Sequence, residues 1–470
     1  LVKKNDIIKK EVIHMLIKNM VKNQRAFYNT NKTQSYDFRK NALEKLYQAV
    51  KDNEEKIKDA LYKDLNKSGG EAYLTEIGVT LKEISYLMKH LKKLMKKKKR
   101  KTGISHFPAK SFISPHPYGV TLIMSPWNYP IYLTLAPLAG AIAAGNTAIV
   151  KPSNYSEHTS NAIDEILDSI YDKEYVTVVK GGREENQDLL NQKFDYIFFT
   201  GSTTVGKIVM EKASKNLTPI SLELGGKSPT IVTKDIDIDL AAKRIIFGKL
   251  INVGQTCVAP DYVLVDESVK EELIKKLIYH IENFYGNKPI ENSAYGKIIN
   301  EKHFKRLLNL ISNQEIAYGG DSNKETLQIG PTILNNVKSE DPVMQEEIFG
   351  PILPILTYKN IEEVVDFVQS RPHPLALYLF TKSKETIDMI LNQCQFGGGC
   401  INDTIMQVAS DYIPFGGVGD SGMGQYHGDA SFETFSHYRS IIKKSTILDV
   451  PLRYLPQSKK QEKIVKKVLK

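Results

Sequence analysis

The chain has 470 residues, 41% of them hydrophobic and 25% charged, with a mean hydropathy of -0.31. That length predicts two or three domains, and that composition excludes a fibre, a repeat array and a multi-span membrane protein. The formal charge of +10 is concentrated in Lys92, Lys93, Lys96–Lys101 and the tail Lys459–Lys470, so it reads as lysine-rich surface with no nucleic-acid role.

Three cysteines, Cys257, Cys394 and Cys400, have neither a Cys-x-x-Cys pair nor histidines at ligand spacing, so neither a disulfide scaffold nor a metal is expected. The stretch Leu1–Met20 mixes lysines with isolated apolar residues and reads as neither a secretory signal nor a span; the expected address is cytoplasmic.

In chain order, apolar residues recur at helical spacing from Asn5 to about Lys101, most clearly in Ala42–Val50 and Ile77–Leu94. Gly103–Pro117 is broken by prolines and predicts a strand with a distant partner. From Gly119 strands and helices alternate: strand Val120–Met124, helix Leu133–Ala144, strand Thr147–Val150, helix from about His158 to Tyr171, strand Tyr175–Val179, a short helix near Asp188, strand Tyr196–Phe199 and helix Thr204–Ala213. This alternation predicts an open, mainly parallel sheet covered on both faces, with ligands at the carboxyl ends of its strands. A second α/β region follows Gly225, with strands near Ser228–Val232 and Tyr262–Val265 and helices near Val269–Phe284 and Ile361–Gln369. The glycine-rich run Phe396–Gly428 reads as loops approaching a ligand. In the tail, Ile464, Val465, Val468 and Leu469 lie among lysines, the pattern of a short amphipathic helix for weak contact with a membrane surface, too short to span one.

Four motifs carry chemistry. The turn Gly201-Ser-Thr-Thr-Val-Gly206 follows a strand and opens a helix, where backbone N–H groups favour a phosphate; Thr203 stands where the common dinucleotide fingerprint has glycine, and an ordinary tight turn is the alternative. Cys257, in Gln255-Thr-Cys257-Val, is either a small core filler or a nucleophile whose thiolate needs local N–H donors. Glu223 ends an apolar strand just before Gly225-Gly226, suiting it to act as a general base; the alternative is an ion pair with Lys227. Asn128, in Pro126-Trp127-Asn128-Tyr129-Pro130, is either a turn residue or an amide donor for an oxyanion.

The order and spacing of these motifs resemble the aldehyde dehydrogenase superfamily from about Ala26 to Ser445. Arg371-Pro-His-Pro-Leu-Ala-Leu-Tyr378, Gly398-Gly-Cys-Ile-Asn-Asp403 and the Pro414–Gly424 run look like its class 3 branch, which includes enzymes for aromatic and medium-to-long aliphatic aldehydes. The resemblance implies an α/β fold with a Rossmann-type cofactor domain (1–102 and 117–223), an α/β catalytic domain (224–428), a small β bridging element for oligomerisation (103–116 and 429–448) and a basic tail (449–470).

It further implies NAD(P)-dependent oxidation of aldehydes to carboxylic acids through a thioester, by a homodimer. Cys257 would be the nucleophile, Glu223 the base for water, and Asn128 with the Cys257 backbone N–H the oxyanion hole. Trp127, Lys151, Asn154, Gly201, Ser202, Gly206, Glu347 and Phe349 would bind NAD or NADP, and Tyr129 and Phe415 would line the aldehyde pocket. A coenzyme A-acylating enzyme and a catalytically silent binding protein are the alternatives on this fold. Two departures stand out. Asn154 replaces a frequent glutamate, which implies better tolerance of NADP, and Val253 replaces the usual alanine, a bulk expected to reshape the site.

Overall fold

The computed structural model describes residues 2–469, with side chains described from Glu11 on; Leu1 and Lys470 lie outside the described residues. Helices fill the N-terminal part as their periodicity dictates. Tyr36–Asp52 opens on Ser35, whose hydroxyl accepts from Phe38 N–H, and buries Leu43, Leu46 and Val50 from its apolar stripe. The last long helix of this part ends at Leu94, and Lys98–Arg100 is a strand where a helix was expected to continue. That strand has no apolar rhythm of its own; it is held by antiparallel pairing with Ala109–Pro117.

A six-stranded sheet forms the first α/β region. Its order is Gly422–Met423, Ile220–Glu223, Tyr196–Thr200, Val120–Met124, Thr147–Lys151 and Val176–Val178, all parallel except the first. The central strands are buried on both faces, so they read as unbroken apolar runs. The helix Tyr132–Ala144 is buried nearly all round and built of small residues for that reason; a Cβ on Gly140 would lie 2.9 Å from the Ser431 carbonyl oxygen.

The second region is a seven-stranded sheet in the order Glu315–Tyr318, Thr332–Asn335, Ile352–Tyr358, Tyr262–Asp266, Pro229–Val232, Ala376–Phe380 and Gly398–Ile401, again parallel but for its first member. Two of the strands just described, Gly398–Ile401 and Gly422–Met423, fall inside the glycine-rich run expected to be loops. Their glycines answer close backbone approach: a Cβ on Gly399 would sit 2.0 Å from the Leu377 carbonyl oxygen. The second of them crosses back to extend the first sheet beside Glu223.

A third, antiparallel sheet joins Lys98–Arg100, Ala109–Pro117 and Ser436–Lys444, so the expected distant partner of the proline-broken segment lies more than three hundred residues downstream. The tail carries the helix Lys459–Val468.

Candidate active site

The register of the first sheet sets Met124 beside Lys151, Met124 beside Phe199, and Thr200 beside Glu223. Asn128, Lys151, Gly201 and Glu223 therefore lie at or just beyond one carboxyl edge, where a parallel sheet of this kind receives its ligand.

The loop that carries Cys257 enters from the other region. After the helix Ile238–Leu250 the chain makes a left-handed turn in which Asn252, Val253 and Gly254 have φ of 51°, 55° and 72°. A β-branched residue there is strained by about 1–2 kcal/mol, so neighbours must hold the turn. Glu71 does so by accepting from Asn252 N–H at 2.6 Å. Gln255 adds three bonds, donating to the carbonyls of Asn252 and Lys297 and accepting from Ile299 N–H at 3.1, 3.0 and 3.1 Å. Val253 packs among Tyr295, Ile298 and their neighbours in the second region's core, away from the cavity above Cys257. Its bulk is thus absorbed elsewhere, contrary to the expectation that it reshapes the site.

Asn128 faces this loop. Its Nδ2 donates to the Gln255 carbonyl at 3.0 Å, while its own carbonyl accepts from Asn252 Nδ2 at 2.8 Å and from Lys67 Nζ at 3.3 Å. Tyr129 Oη and Thr256 Oγ1 are 2.5 Å apart, and Tyr378 Oη donates to the Val258 carbonyl at 2.6 Å. Both neighbours of Cys257 are thereby tied down.

Cys257 lies at a cavity of about 190 Å³ whose walls are almost wholly apolar and aromatic, among them Tyr129, Leu133, Phe247, Met406 and Phe415. Burial, then the carboxylates of Glu347 and Glu223, push its thiol up to about 12, opposed by the N–H groups of Cys257 and Val258. The resting group is the thiol, and any reaction as a nucleophile would have to be coupled to loss of its proton. Cys394 and Cys400 are also free thiols.

Glu223 is buried, and neither of its oxygens has a hydrogen-bond partner. Burial holds its carboxyl well above the ordinary carboxylate range. The pairing with Lys227 is not made: Lys227 Nζ lies 2.5 Å from Asp261 Oδ2 and also donates to the carbonyls of Val343 and Glu346. Lys227, Asp261 and Arg306 together strap the segment carrying Glu347, Asp261 Oδ1 accepting from Ile348 N–H and Arg306 donating to the carbonyls of Glu347 and Ile348. Glu347 is pushed up to about 8 by burial and then by Asp261, and a Cβ on Gly225 would fall 2.1 Å from its Oε2. Phe349 stands edge-on to Trp127, with centroids 5.4 Å apart.

The groups available to a dinucleotide suit one. Lys151 is buried and donates to the carbonyls of Pro152 and Gly181, and burial lowers it to about 8. Beside it Asn154, Lys180, Gly181 and Gly182 border a cavity of about 380 Å³ with room for a ribose. Ser202 caps the helix Thr203–Ser214, accepting from Val205 N–H. Gly206 has a packing reason: its Cβ would meet Leu224 at 2.7 Å.

Sequence reasoning missed the buried pair Lys67–Glu76, N to O 2.7 Å, which links Asn128 to the helix that follows it. Glu76 accepts from Ile131 and Tyr132 N–H, both at 3.0 Å. It also missed Glu71 and Lys249, whose ammonium is buried without a hydrogen-bond partner and lowered to about 8 by burial. The available signal was a charged residue on the apolar face of a helical pattern, as Lys67 and Glu76 are between Leu65, Ala72 and Ile77. Among the described residues no cluster fit to hold a metal ion occurs.

A doubly covered parallel sheet with a phosphate-ready helix start, set beside a cavity floored by a cysteine, defines an α/β oxidoreductase of the dinucleotide-using kind. The model of the Aldehyde dehydrogenase family matches residues 8–441, and the chain belongs to that family. It is an enzyme that oxidises aldehydes with NAD or NADP.

The chain is 49% identical to 4,4'-diaponeurosporen-aldehyde dehydrogenase of Staphylococcus aureus over 448 residues, 95% of this chain and 97% of that one. It is 44% identical to aldehyde dehydrogenase family 3 member A2 of Rattus norvegicus over 440 residues, 93% and 91% of the two chains, in keeping with the class 3 resemblance. The solved structure of the substrate-bound state of Staphylococcus aureus AldH superimposes with a TM-score of 0.95 at 48% identity, covering 97% of this chain and 99% of that one.

Proposed function

We propose that the enzyme oxidises apolar aldehydes through a thioester on Cys257 that Glu223-activated water hydrolyses. The carrying observation is a buried carboxylate with both oxygens unpartnered, close enough to the thiol to raise its pKa. Bound NAD or NADP supplies the hydride acceptor; Lys151 and Asn154 would hold its adenosine ribose, the Gly201-Ser202 helix start its pyrophosphate, and Glu347, with Trp127 and Phe349 beside it, its nicotinamide half.

Cys257 Sγ adds to the carbonyl carbon as its proton is lost to water, a step that does not need Glu223. Asn128 Nδ2–H and the Cys257 N–H stabilise the oxyanion; the bond from Nδ2 to the Gln255 carbonyl uses only one of its two hydrogens. Once the aldehyde carbon has lost its hydride, the acyl group rests on Sγ as a thioester. Glu223, as the carboxylate, takes a proton from water; hydroxide attack on the thioester carbon breaks its bond to Sγ, Glu223 returns that proton to the departing thiolate, and the carboxylic acid releases its own proton to solvent. A free carboxylate favours water over a thiol acceptor such as coenzyme A, which needs no such base.

The apolar cavity walls, with Tyr129 and Phe415 among them, support an aromatic or aliphatic substrate, and the Staphylococcus aureus relative is named for a diaponeurosporen-aldehyde. The six-stranded sheet would be the cofactor domain and the seven-stranded sheet the catalytic one. The strand Ser436–Lys444 pairs on one side only and exposes Ile441 and Ile442, which supports a homodimer formed through the three-stranded element; sedimentation equilibrium measures it. The basic tail is proposed to touch an anionic membrane surface from the cytoplasmic side. Among the described residues no helix is long and apolar enough to cross a membrane.

Acid quenching during turnover of Glu223→Gln, followed by peptide mass analysis, tests the mechanism. The acyl mass is expected on the Cys257 peptide. Its absence from a variant that has reduced cofactor would refute the thioester.

A further inference from the structure

The basic charge of this protein sits on one lobe. Residues 96–110 and 436–469 contain sixteen lysines and arginines against two acidic residues, while the whole chain carries only +10, so the remainder is net acidic. The third sheet brings the two segments together, since Ala109–Pro117 pairs with both Lys98–Arg100 and Ser436–Lys444.

The same lobe holds apolar side chains out to solvent. Ile447 is 98% exposed, Leu455 84%, Ile104 79%, Leu469 71% and Phe107 58%. Of these, Ile104, Phe107 and Leu469 line an apolar groove of about 540 Å³ where the Ile104–Phe107 turn meets the tail, with Val450, Leu452 and Val465 along it. Lys444 Nζ donates to the carbonyls of His106 and Phe107, both at 3.1 Å, and so fixes that turn against the strand. On the helix Lys459–Val468, Ile464, Val465 and Val468 share one face, while Lys459, Lys460, Lys463, Lys466 and Lys467 share the other.

We infer that this lobe is a docking surface for an anionic lipid bilayer, in which the Ile104–Phe107 turn and the tail insert apolar side chains while the flanking lysines pair with headgroups. The inference extends the tail contact proposed above to a composite surface. Exposed apolar side chains ringed by cations match the two demands of a bilayer interface, acyl chains below and anionic headgroups at the level of the ammonium groups. An acidic protein would match the charge and leave the apolar side chains unexplained. An apolar aldehyde partitions into the same phase, so an enzyme held there meets it at high local concentration.

Co-sedimentation of the full-length enzyme with vesicles of phosphatidylglycerol and phosphatidylcholine, against phosphatidylcholine alone, tests this. Three forms are compared: wild type, a turn variant (Ile104→Ser with Phe107→Ser) and a tail variant (Lys463→Glu with Lys467→Glu). Aldehyde turnover without vesicles reports that each is folded. Wild type is expected to favour the anionic vesicles by at least about tenfold and to release in high salt, and each variant to lose most of that preference.

Loss in the tail variant alone overturns the composite surface and leaves the tail contact standing. Wild type that does not distinguish the two vesicles overturns both. A turn variant that sediments as a monomer where wild type is a dimer assigns the patch to a second copy and overturns the inference.

Discussion

Cys257 and Glu223 share a proton problem. The thiol is held up to about 12 by burial and then by the carboxylates of Glu347 and Glu223, so the resting enzyme keeps a protonated cysteine and is shielded from adventitious alkylation. Because the raised pKa favours the neutral form, iodoacetamide labelling of Cys257 in cofactor-free enzyme is expected to rise about tenfold per pH unit and to show no plateau near the ordinary value of about 8.5. A plateau below pH 8 would contradict the proton placement.

At the cavity proposed for the adenosine ribose, Asn154 lies with Lys180, and a carboxylate in its place would repel a 2′-phosphate. Asn154→Glu is expected to raise the KM for NADP by about tenfold or more and to leave that for NAD nearly unchanged, since the new like charge acts only on the phosphate. Cys257 and Glu223 stood out in the sequence by their motifs, whereas Asn154 was reached only through the family resemblance. Whether Glu223 would pair with Lys227 was not legible, since Asp261, thirty-four residues away from that lysine, takes it instead.

Between residues and fold lie the elements that aim the site. Tyr73–Ile77 is a π-helical turn whose extra residue delivers Glu76 to the start of the helix Tyr132–Ala144, where a carboxylate meets free N–H groups and the positive end of the dipole. Lys67 completes the pair and reaches the Asn128 carbonyl. Lys67→Met leaves Glu76 buried and unpaired and is expected to cost about 3–5 kcal/mol in urea unfolding.

Glu71 is the corresponding support for the left-handed turn before Cys257. Glu71→Ala is expected to lower kcat by about 10- to 100-fold with KM little changed, as misplacement of the nucleophile by an ångström does, and Glu71→Gln, which still accepts from Asn252 N–H, to restore most of it. Equal effects of the two on stability alone, with kcat unaltered, would remove this role. The partners of this support were not visible in the sequence, although Lys67 and Glu76 are charged residues among apolar ones, because the contacts join the segment near residue 70 to loops near 130 and 252. The regular elements were visible: Val120–Met124 and Ile361–Gln369 form where their patterns place them. Lys98–Arg100 and Gly398–Ile401 were not, since a lysine run and a glycine run become strands only through their partners.

At the scale of the molecule, the alternation of strands and helices announced the parallel sheets, but the return of Gly422–Met423 to the first sheet had no local signature. That return matters. It seats Ser421 so that its carbonyl accepts from Leu224 N–H, and with Gly201 N–H donating to the Glu223 carbonyl it fixes the backbone that carries Glu223 from both sides. The site is thus assembled from segments near residues 71, 128, 223, 257, 347 and 421.

The measurement that bears most directly on the whole is reduction of NAD and NADP with a panel of apolar aldehydes by wild type, Cys257→Ser and Glu223→Gln, followed from the first turnover. Sustained reduction by wild type, none by Cys257→Ser, and a single burst followed by a stall in Glu223→Gln is the predicted result. Sustained turnover by Glu223→Gln at the wild-type rate, or by wild type only when coenzyme A is supplied, would contradict it.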